Sequence, residues 1–421
     1  MNTPEQPIVI IGAGVAGLSC ARVLQQQQIP WIILEASDGI GGRVRTDRLE
    51  GFLLDRGFQV LQTAYPEARR QLDYRRLKLH AFSPGALVFW RGKLHRVADP
   101  WRQPQHLLAA GLAPIGTLAD KLRVLRLRWR LGQQPLAKLW EEPETTTLAY
   151  LKAQGFSDHI IERFFRPFYS GVFFEKDLAS SSRVFTFVFR MLAEGEAALP
   201  EAGIGAIAAQ LAEVLPVEAI RLNCQVVALE PGQVRLAEGT VQPARAVVIA
   251  TNGGQAAALL GETGPVPTTA TTNMYFAAPQ PPVREPILVL DGENRGPVTN
   301  LLVPSEVAAS YAPPGQALIS ATIVGLPEME DARLVEAVRR QVTAWFGPQV
   351  STWRHLRTYR LAEALPSQVP PTPDPWQPHV RVRPGVFVCG EYGSLAGLQW
   401  AMVSGRLAGE AVAAAVAQGQ V

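Results

Sequence analysis

The sequence predicts an α/β protein in which a Rossmann-type dinucleotide-binding domain is interleaved with a second domain of mixed sheet plus helical cap. Three observations lead there. A G-x-G-x-x-G run follows a short apolar segment near the N-terminus, in "IVIIGAGVAGLSCARVL". A second apolar segment, "WIILEAS", ends in an acid at about the 20-residue distance such a loop requires. The far end of the chain, "GVFVCGEYGSLAGLQWAMVSGRLAGEAVAAAVA", repeats the order of strand, glycines and helix. At 421 residues the chain also exceeds the roughly 250 to 300 that one hydrophobic core serves, so two packed domains are expected.

Residues 7–11 have the β-branched composition of a buried parallel strand, and 18–27 read as the helix that follows. Between them each glycine has a task. Gly12 makes the tight turn, Gly14 lets backbone approach a pyrophosphate, and Gly17 allows close packing of helix on strand. Phosphates would meet the helix N-terminus, with Ala16 in its first turn, where free N–H groups and the dipole favour anions. Glu35, followed by Ala36, ends the second strand, and its carboxylate can accept hydrogen bonds from an adenosine ribose. The same charge would repel a 2′-phosphate, which argues against NADP at this site.

The next stretch, "GIGGRVRTDRLEGFLLDRGFQV", places Arg43 after Gly41 and Gly42. A guanidinium held by a glycine pair can set its fork against a phosphate, and a simple NAD site has no need of it. At the C-terminus Glu391 ends a strand, in position to hydrogen-bond ribityl hydroxyls. Gly397 and Leu398 open a helix whose positive end can face a flavin's N1/C2 carbonyl edge. Along that helix Ala401, Gly405, Ala408 and Gly409 keep one side small, for close packing on the sheet.

The pattern E-A-x-x-x-x-G-G-R, then an apolar strand and D-x-G, resembles the flavin-containing amine oxidase superfamily, which includes protoporphyrinogen-oxidase-like and phytoene-desaturase-like enzymes. The resemblance extends over essentially the whole chain and implies FAD. It implies that Gly42 and Arg43 contact the pyrophosphate and that Gly57, Phe58 and Gln59 lie beside the isoalloxazine. Gly390, Glu391, Gly393, Ser394, Leu398 and Gln399 would form the second FAD signature. Val226 would meet adenine through its backbone, with Ala250 and Thr251 nearby, from "NCQVVALEPGQVRLAEGTVQPARAVVIATN", whose alternation and turn signals read as strands.

The expected division is 1–80, 200–265 and 380–421 for the FAD domain, 81–199 for a mainly helical cap, and 266–379 for the substrate-domain sheet. In the cap, "DKLRVLRLRWRLG" interleaves arginines with leucines and a tryptophan. Two readings of residues 121–131 stand open: a solvated arginine face, and peripheral contact with a membrane. Four strand-like runs in 266–379, then a helix over 332–345, would wall the substrate site. Tyr169, Phe173, Phe174, Phe185, Phe187, Met274, Tyr275, Phe276 and Trp400 are candidates for its lining, although residues of this kind, taken singly, are more often core than pocket.

Several classes are excluded or disfavoured. Gly203, Gly205 and Ala208 match G-x-G-x-x-A, but Leu199, Pro200 and Glu201 before them read as a loop, so a helix start is expected and no second dinucleotide site. The last lysine is Lys176, so the lysine that many amine oxidases place late in the substrate domain is missing. Gln399 and Trp400 stand where those enzymes have an aromatic pair. Cys389 lies on a strand, and "GSLAGLQW" holds no cysteine, so FAD should be non-covalent. Six scattered histidines show no metal spacing. A net charge of +3 does not imply a nucleic-acid partner. Three distant cysteines and the lack of a signal peptide or spanning segment suggest a cytoplasmic protein, with membrane association left open.

The expected act is FAD-dependent dehydrogenation or isomerisation of a hydrophobic small molecule, such as a carotenoid-like polyene or tetrapyrrole precursor, with O2 or a quinone as electron acceptor. The alternatives are an amine or amino-acid oxidase using O2, and a non-catalytic flavin-binding assembly protein. No acid-base residue is evident.

Overall fold

The computed structural model describes residues 6–99, 101–106 and 111–421. Its first layer is a six-stranded sheet whose strands run in the order 220–221, 31–34, 8–11, 246–249, 386–388 and 381–383. The first five are mutually parallel, and the last is an antiparallel edge. Ile8–Ile11 and Ala246–Ile249 are buried along their whole length, as apolar strands covered on both faces must be. Because the chain order reverses on either side of Ile8–Ile11, a crevice opens at the carboxyl ends of Ile8–Ile11 and Ala246–Ile249.

Helix Val15–Gln26 leaves that point and packs beside the C-terminal helix Leu398–Ala417. The small residues of the latter serve this helix pair, not the sheet as expected. A Cβ on Gly405 would strike the Ala16 carbonyl and Ser19, and one on Gly409 would meet Val23 at 2.8 Å and the Cys20 carbonyl at 3.0 Å. Two glycines on one helix face thus set how closely the two helices approach.

The second layer is a seven-stranded sheet in the order 354–366, 268–278, 317–324, 298–302, 288–291, 85–90 and 93–98. The four strand-like runs expected in 266–379 are there, as Thr268–Ala278, Leu288–Asp291, Val298–Leu302 and Ala317–Val324. The helix after them spans Asp331–Phe346. Two edges escape the sequence reading. Arg354–Pro366 carries Arg354, Arg357, Arg360 and Glu363 and two register shifts, so it has no clean apolar alternation. The hairpin Gly85–Trp90 with Lys93–Ala98 lies inside the cap's expected range, yet continues this sheet through parallel pairing of Ala86 with Leu288.

Along Thr268–Ala278 the side chains alternate. Met274 and Phe276 join the cluster under helix Asp331–Phe346, and Tyr275 points to the opposite face with Leu302 and Leu318. Above that inner face lie the cap helices, among them Leu118–Gly132, Arg166–Phe173 and Ser182–Glu194. Leu199 and Pro200, expected in a loop with Glu201, instead end the strand Ala197–Pro200, paired with Leu61–Gln62 and Leu79–Ala81. The helix expected after it starts at Ala206.

Candidate functional site

A single cavity of about 1240 Å³ runs from the crevice of the parallel sheet into the space between the second sheet and the cap. Single small-molecule sites measure roughly 300 to 1,000 Å³, so there is room for a large cofactor and a second ligand together.

The dinucleotide end is built from the loops the motifs mark. Gly12 donates to the Leu34 carbonyl at 2.8 Å and adopts φ +106°, a turn that side chains resist. Gly14 caps helix Val15–Gln26 without a side-chain hydrogen bond, and a Cβ on it would meet nothing within 4 Å. The helix therefore presents free N–H groups to open space inside the cavity. Gly17 does not line the cavity; its missing side chain makes room for the Gly12 carbonyl. Ala16 lines the cavity one residue earlier.

Glu35 and Ala36 line the same end. The two Glu35 carboxylate oxygens accept from Ala13 N at 2.7 Å and Ser37 N at 2.8 Å, so the group is fixed in orientation with a lone pair left on each oxygen. Gly41 N donates to the Ala13 carbonyl at 2.8 Å, clamping the second glycine loop against the first. Gly42, at φ +59°, then turns the chain so that Arg43 reaches across the cavity. The Arg43 guanidinium is ion-paired with Glu391 and donates to the carbonyls of Glu363 at 3.2 Å and Ala364 at 2.6 Å. Burial pushes the Glu391 carboxyl above its usual range, while Arg43 opposes that rise. Nothing in the sequence marked Glu363 and Ala364, because backbone acceptors leave no side-chain signature.

Gly57, Phe58 and Gln59 follow, and Gln59 ties the loop by donating to the Arg43 carbonyl at 2.8 Å and the Arg56 carbonyl at 2.9 Å. Val226, Ala250, Thr251, Gly390, Glu391, Gly397 and Leu398 complete this wall. Gly397 caps helix Leu398–Ala417 without a side-chain hydrogen bond, and that helix has no acid in its first turn. Two uncapped helix N-termini, open space where a Cβ would project from Gly14 and Gly397, and a spaced acid and arginine fit an elongated, phosphate-bearing dinucleotide such as FAD.

Gly393, Ser394 and Gln399 lie outside the cavity wall. Gln399 is buried in the helix interface, where its carbonyl accepts from Glu67 N at 3.0 Å. Neighbours on a helix face in different directions, so Trp400 enters the cavity and Gln399 turns away.

The other half of the cavity is mostly apolar. Tyr169, Phe173, Phe174, Phe187 and Trp400 line it, and Trp400 stacks edgewise on Trp140 at 5.4 Å and Trp376 at 5.0 Å. Of the other lining candidates, Phe185, Met274 and Phe276 are core. Tyr275 is core too, its hydroxyl donating to the Asp55 carbonyl at 2.9 Å. Sequence alone could not divide these residues, because an aromatic on a buried face reads the same whether it meets protein or space.

In helix Leu118–Gly132 the arginines are mostly engaged. Arg123 pairs with Asp120 at 3.5 Å, Arg128 with Asp99 at 2.5 Å, and Arg130 bonds the Tyr150 hydroxyl. Leu118, Leu122 and Trp129 are exposed on one face, and Leu118 and Leu122 also line the cavity. No helix of the described residues is long and apolar enough to cross a membrane. Among the described residues no group of three or more potential metal ligands occurs.

Comparisons with known proteins bear on the family and the fold. The profile of the family described as flavin containing amine oxidoreductase matches residues 15–416. An L-amino-acid oxidase of Crotalus adamanteus is 42% identical over 149 residues, covering 34% of this chain and 27% of that protein. The chloroplastic protoporphyrinogen oxidase of Nicotiana tabacum is 28% identical over 173 residues, 40% of this chain and 29% of that one. The chain thus matches less than a third of the length of either relative. Among solved structures, a proposed protoporphyrinogen oxidase from Exiguobacterium sp. superposes with a TM-score of 0.74 at 20% identity, over 98% of this chain and all of that one. The cyclohexylamine oxidase of Brevibacterium oxydans superposes at 0.71 and 16% identity, over 98% and 100%. These structures share the fold. With its profile spanning nearly the whole sequence, the chain belongs to the flavin-containing amine oxidoreductase family.

Proposed function

We propose that the protein binds FAD non-covalently and dehydrogenates or isomerises a hydrophobic small molecule, of the polyene or tetrapyrrole-precursor kind. The observation that carries this reading is the apolar wall of the cavity's second half, formed by Tyr169, Phe173, Phe187 and Trp400. A bound flavin supplies hydride acceptance. The chain's residues supply binding, orientation and exclusion of water. Arg43 and the two helix N-termini would hold the pyrophosphate and the flavin's anionic edge, Glu35 the adenosine ribose and Glu391 the ribityl chain. Gly57, Phe58 and Gln59 would lie along the ring system. Cys389 is buried, with its thiol pushed up to about 12 by desolvation, and does not line the cavity, which favours a non-covalent cofactor. O2 or a quinone would reoxidise the enzyme.

Peripheral membrane contact through helix Leu118–Gly132 is part of the proposal. An apolar stripe that faces both solvent and cavity would let a lipid-dissolved substrate pass between them without crossing water.

Anaerobic mixing of the FAD-loaded protein with candidate substrates tests the reading. Bleaching of the flavin absorbance by a polyene or a porphyrinogen supports it. Bleaching by an amine or amino acid, with hydrogen peroxide formed on admitting O2, would replace it with the oxidase alternative suggested by the named relatives. Failure of every class would favour a flavin-binding assembly protein without turnover.

A further inference from the structure

The inner face of the seven-stranded sheet holds a row of side chains set by strand register: Val88, Leu290, Asn300, Thr322 and Asn273 stand side by side on successive strands. Adjacent members of such a row are about 5 Å apart and interact directly. The row changes character at Asn300. On one side Val88 and Leu290 belong to a hydrophobic cluster with Ile115, Phe164, Phe168 and Leu288. On the other side the hydroxyls of Thr322 and Ser320 donate to the Asn273 side-chain carbonyl at 3.3 Å and 3.2 Å, so that of these three side chains only the Asn273 amide nitrogen is without a partner among the described residues.

Asn300 is left out of that network. It is 1% exposed, and among the described residues neither its amide oxygen nor its amide nitrogen has a hydrogen-bond partner. Burying an amide in this way costs roughly 1–3 kcal/mol. A strand position opposite Leu290 would be filled more favourably by a leucine or valine. The helix above it is shaped around the same group: any side chain on Gly171 would overlap the Asn300 amide nitrogen. Asn300 and Gly171 both line the cavity, as do Leu288, Ile115, Phe164 and Phe168. A neutral group with one donor and one acceptor therefore sits at the edge of an apolar lobe of the ligand cavity.

We propose that Asn300 is a specificity-determining residue that receives one uncharged hydrogen-bonding substituent, a hydroxyl or carbonyl, of an otherwise hydrocarbon-like ligand. The inference rests on the reading of the cavity as a hydrophobic-substrate site. A neutral amide suits a neutral partner, because a carboxylate or ammonium would lose its hydration against Phe164, Phe168 and Leu288, and the amide itself carries no charge to replace it. The gain comes from closing an amide that the fold leaves open.

The test is a matched pair of probes, dodecan-1-ol and dodecane, titrated into the FAD-loaded protein while tryptophan fluorescence is followed, since Trp400 lines the cavity. The wild type should prefer the alcohol by about tenfold, the worth of one hydrogen bond to a buried neutral group. Asn300→Leu should erase that preference and bind dodecane at least as well as the wild type does. Asn300→Ser, neutral and still able to hydrogen-bond a hydroxyl, should retain a preference for the alcohol, which guards against a fold defect in the leucine variant. Equal binding of the two probes by the wild type, or an undiminished preference in Asn300→Leu, would overturn the role of Asn300 while leaving the hydrophobic-ligand reading intact. Failure of both probes to bind would overturn that reading, and the inference with it.

Discussion

Asp55 ends the strand Phe52–Asp55, two residues before the Gly57 loop, and is 3% exposed. Its carboxylate accepts from Thr46 Oγ1 at 2.6 Å, Tyr311 OH at 2.8 Å and Ile204 N at 2.9 Å. These bonds favour the charged form, yet burial outweighs them and raises the carboxyl from 3.8 to about 6. A shift of roughly two pKa units corresponds to about 3 kcal/mol. The sign follows from proton binding. The folded state holds the Asp55 proton more tightly than the unfolded chain does, so this stabilisation is fully present below about pH 4 and is lost as the pH rises through about 6. Asp55→Asn cannot ionise and can keep Ile204 N and Thr46 as donors. Unfolding free energies of both proteins from urea titrations between about pH 4 and pH 8 give a difference in which other titrating groups cancel. The variant's stability relative to the wild type should rise by about 3 kcal/mol across that window. A difference that stays constant would refute the claim that desolvation governs this carboxyl.

Three further outcomes are expected. Gly14→Val should fold yet lose bound flavin on gel filtration, because its side chain enters open space in the dinucleotide cradle; Gly17→Val should lower the thermal midpoint, since crowding against the Gly12 carbonyl costs about 1–3 kcal/mol or more. Gln399→Ala should destabilise by about 1–2 kcal/mol in denaturant titration, leaving Glu67 N without its acceptor, and should leave flavin affinity within about twofold by fluorescence titration. Leu122→Glu with Trp129→Glu should abolish co-sedimentation with neutral phosphatidylcholine vesicles; because Arg123, Arg128 and Arg130 are engaged within the protein, anionic vesicles should offer little advantage to the wild type.

The dinucleotide cradle was legible because its physics is local. A turn at Gly12, an uncapped helix after Gly14 and an acid at the end of the next strand depend on residues close in sequence, and each leaves a residue-type mark. Arg43 and Glu391 lie 348 positions apart in chain numbering (391 − 43) and form one ion pair, yet each carried its own local signal in a glycine pair or a strand end. Gln399 shows the limit of a motif, since neighbouring positions on one helix face different ways and only packing against Glu67 decides which enters the cavity. Phe173 and Phe276 are indistinguishable by type and local pattern, and the tertiary arrangement sends one to the cavity and the other under a helix.

By itself the sequence determined the fold class, the FAD-type cradle and the family, because turn chemistry, strand composition and helix starts are properties of short segments. The tertiary structure decided what the rest of the cavity is made of. It brought the hairpin Gly85–Trp90 and Lys93–Ala98 onto the second sheet, turned Gly405 and Gly409 toward the first helix, and set Asn300 in register between Leu290 and Thr322. Those placements follow from strand pairing and packing between segments far apart in the chain, which no local pattern encodes.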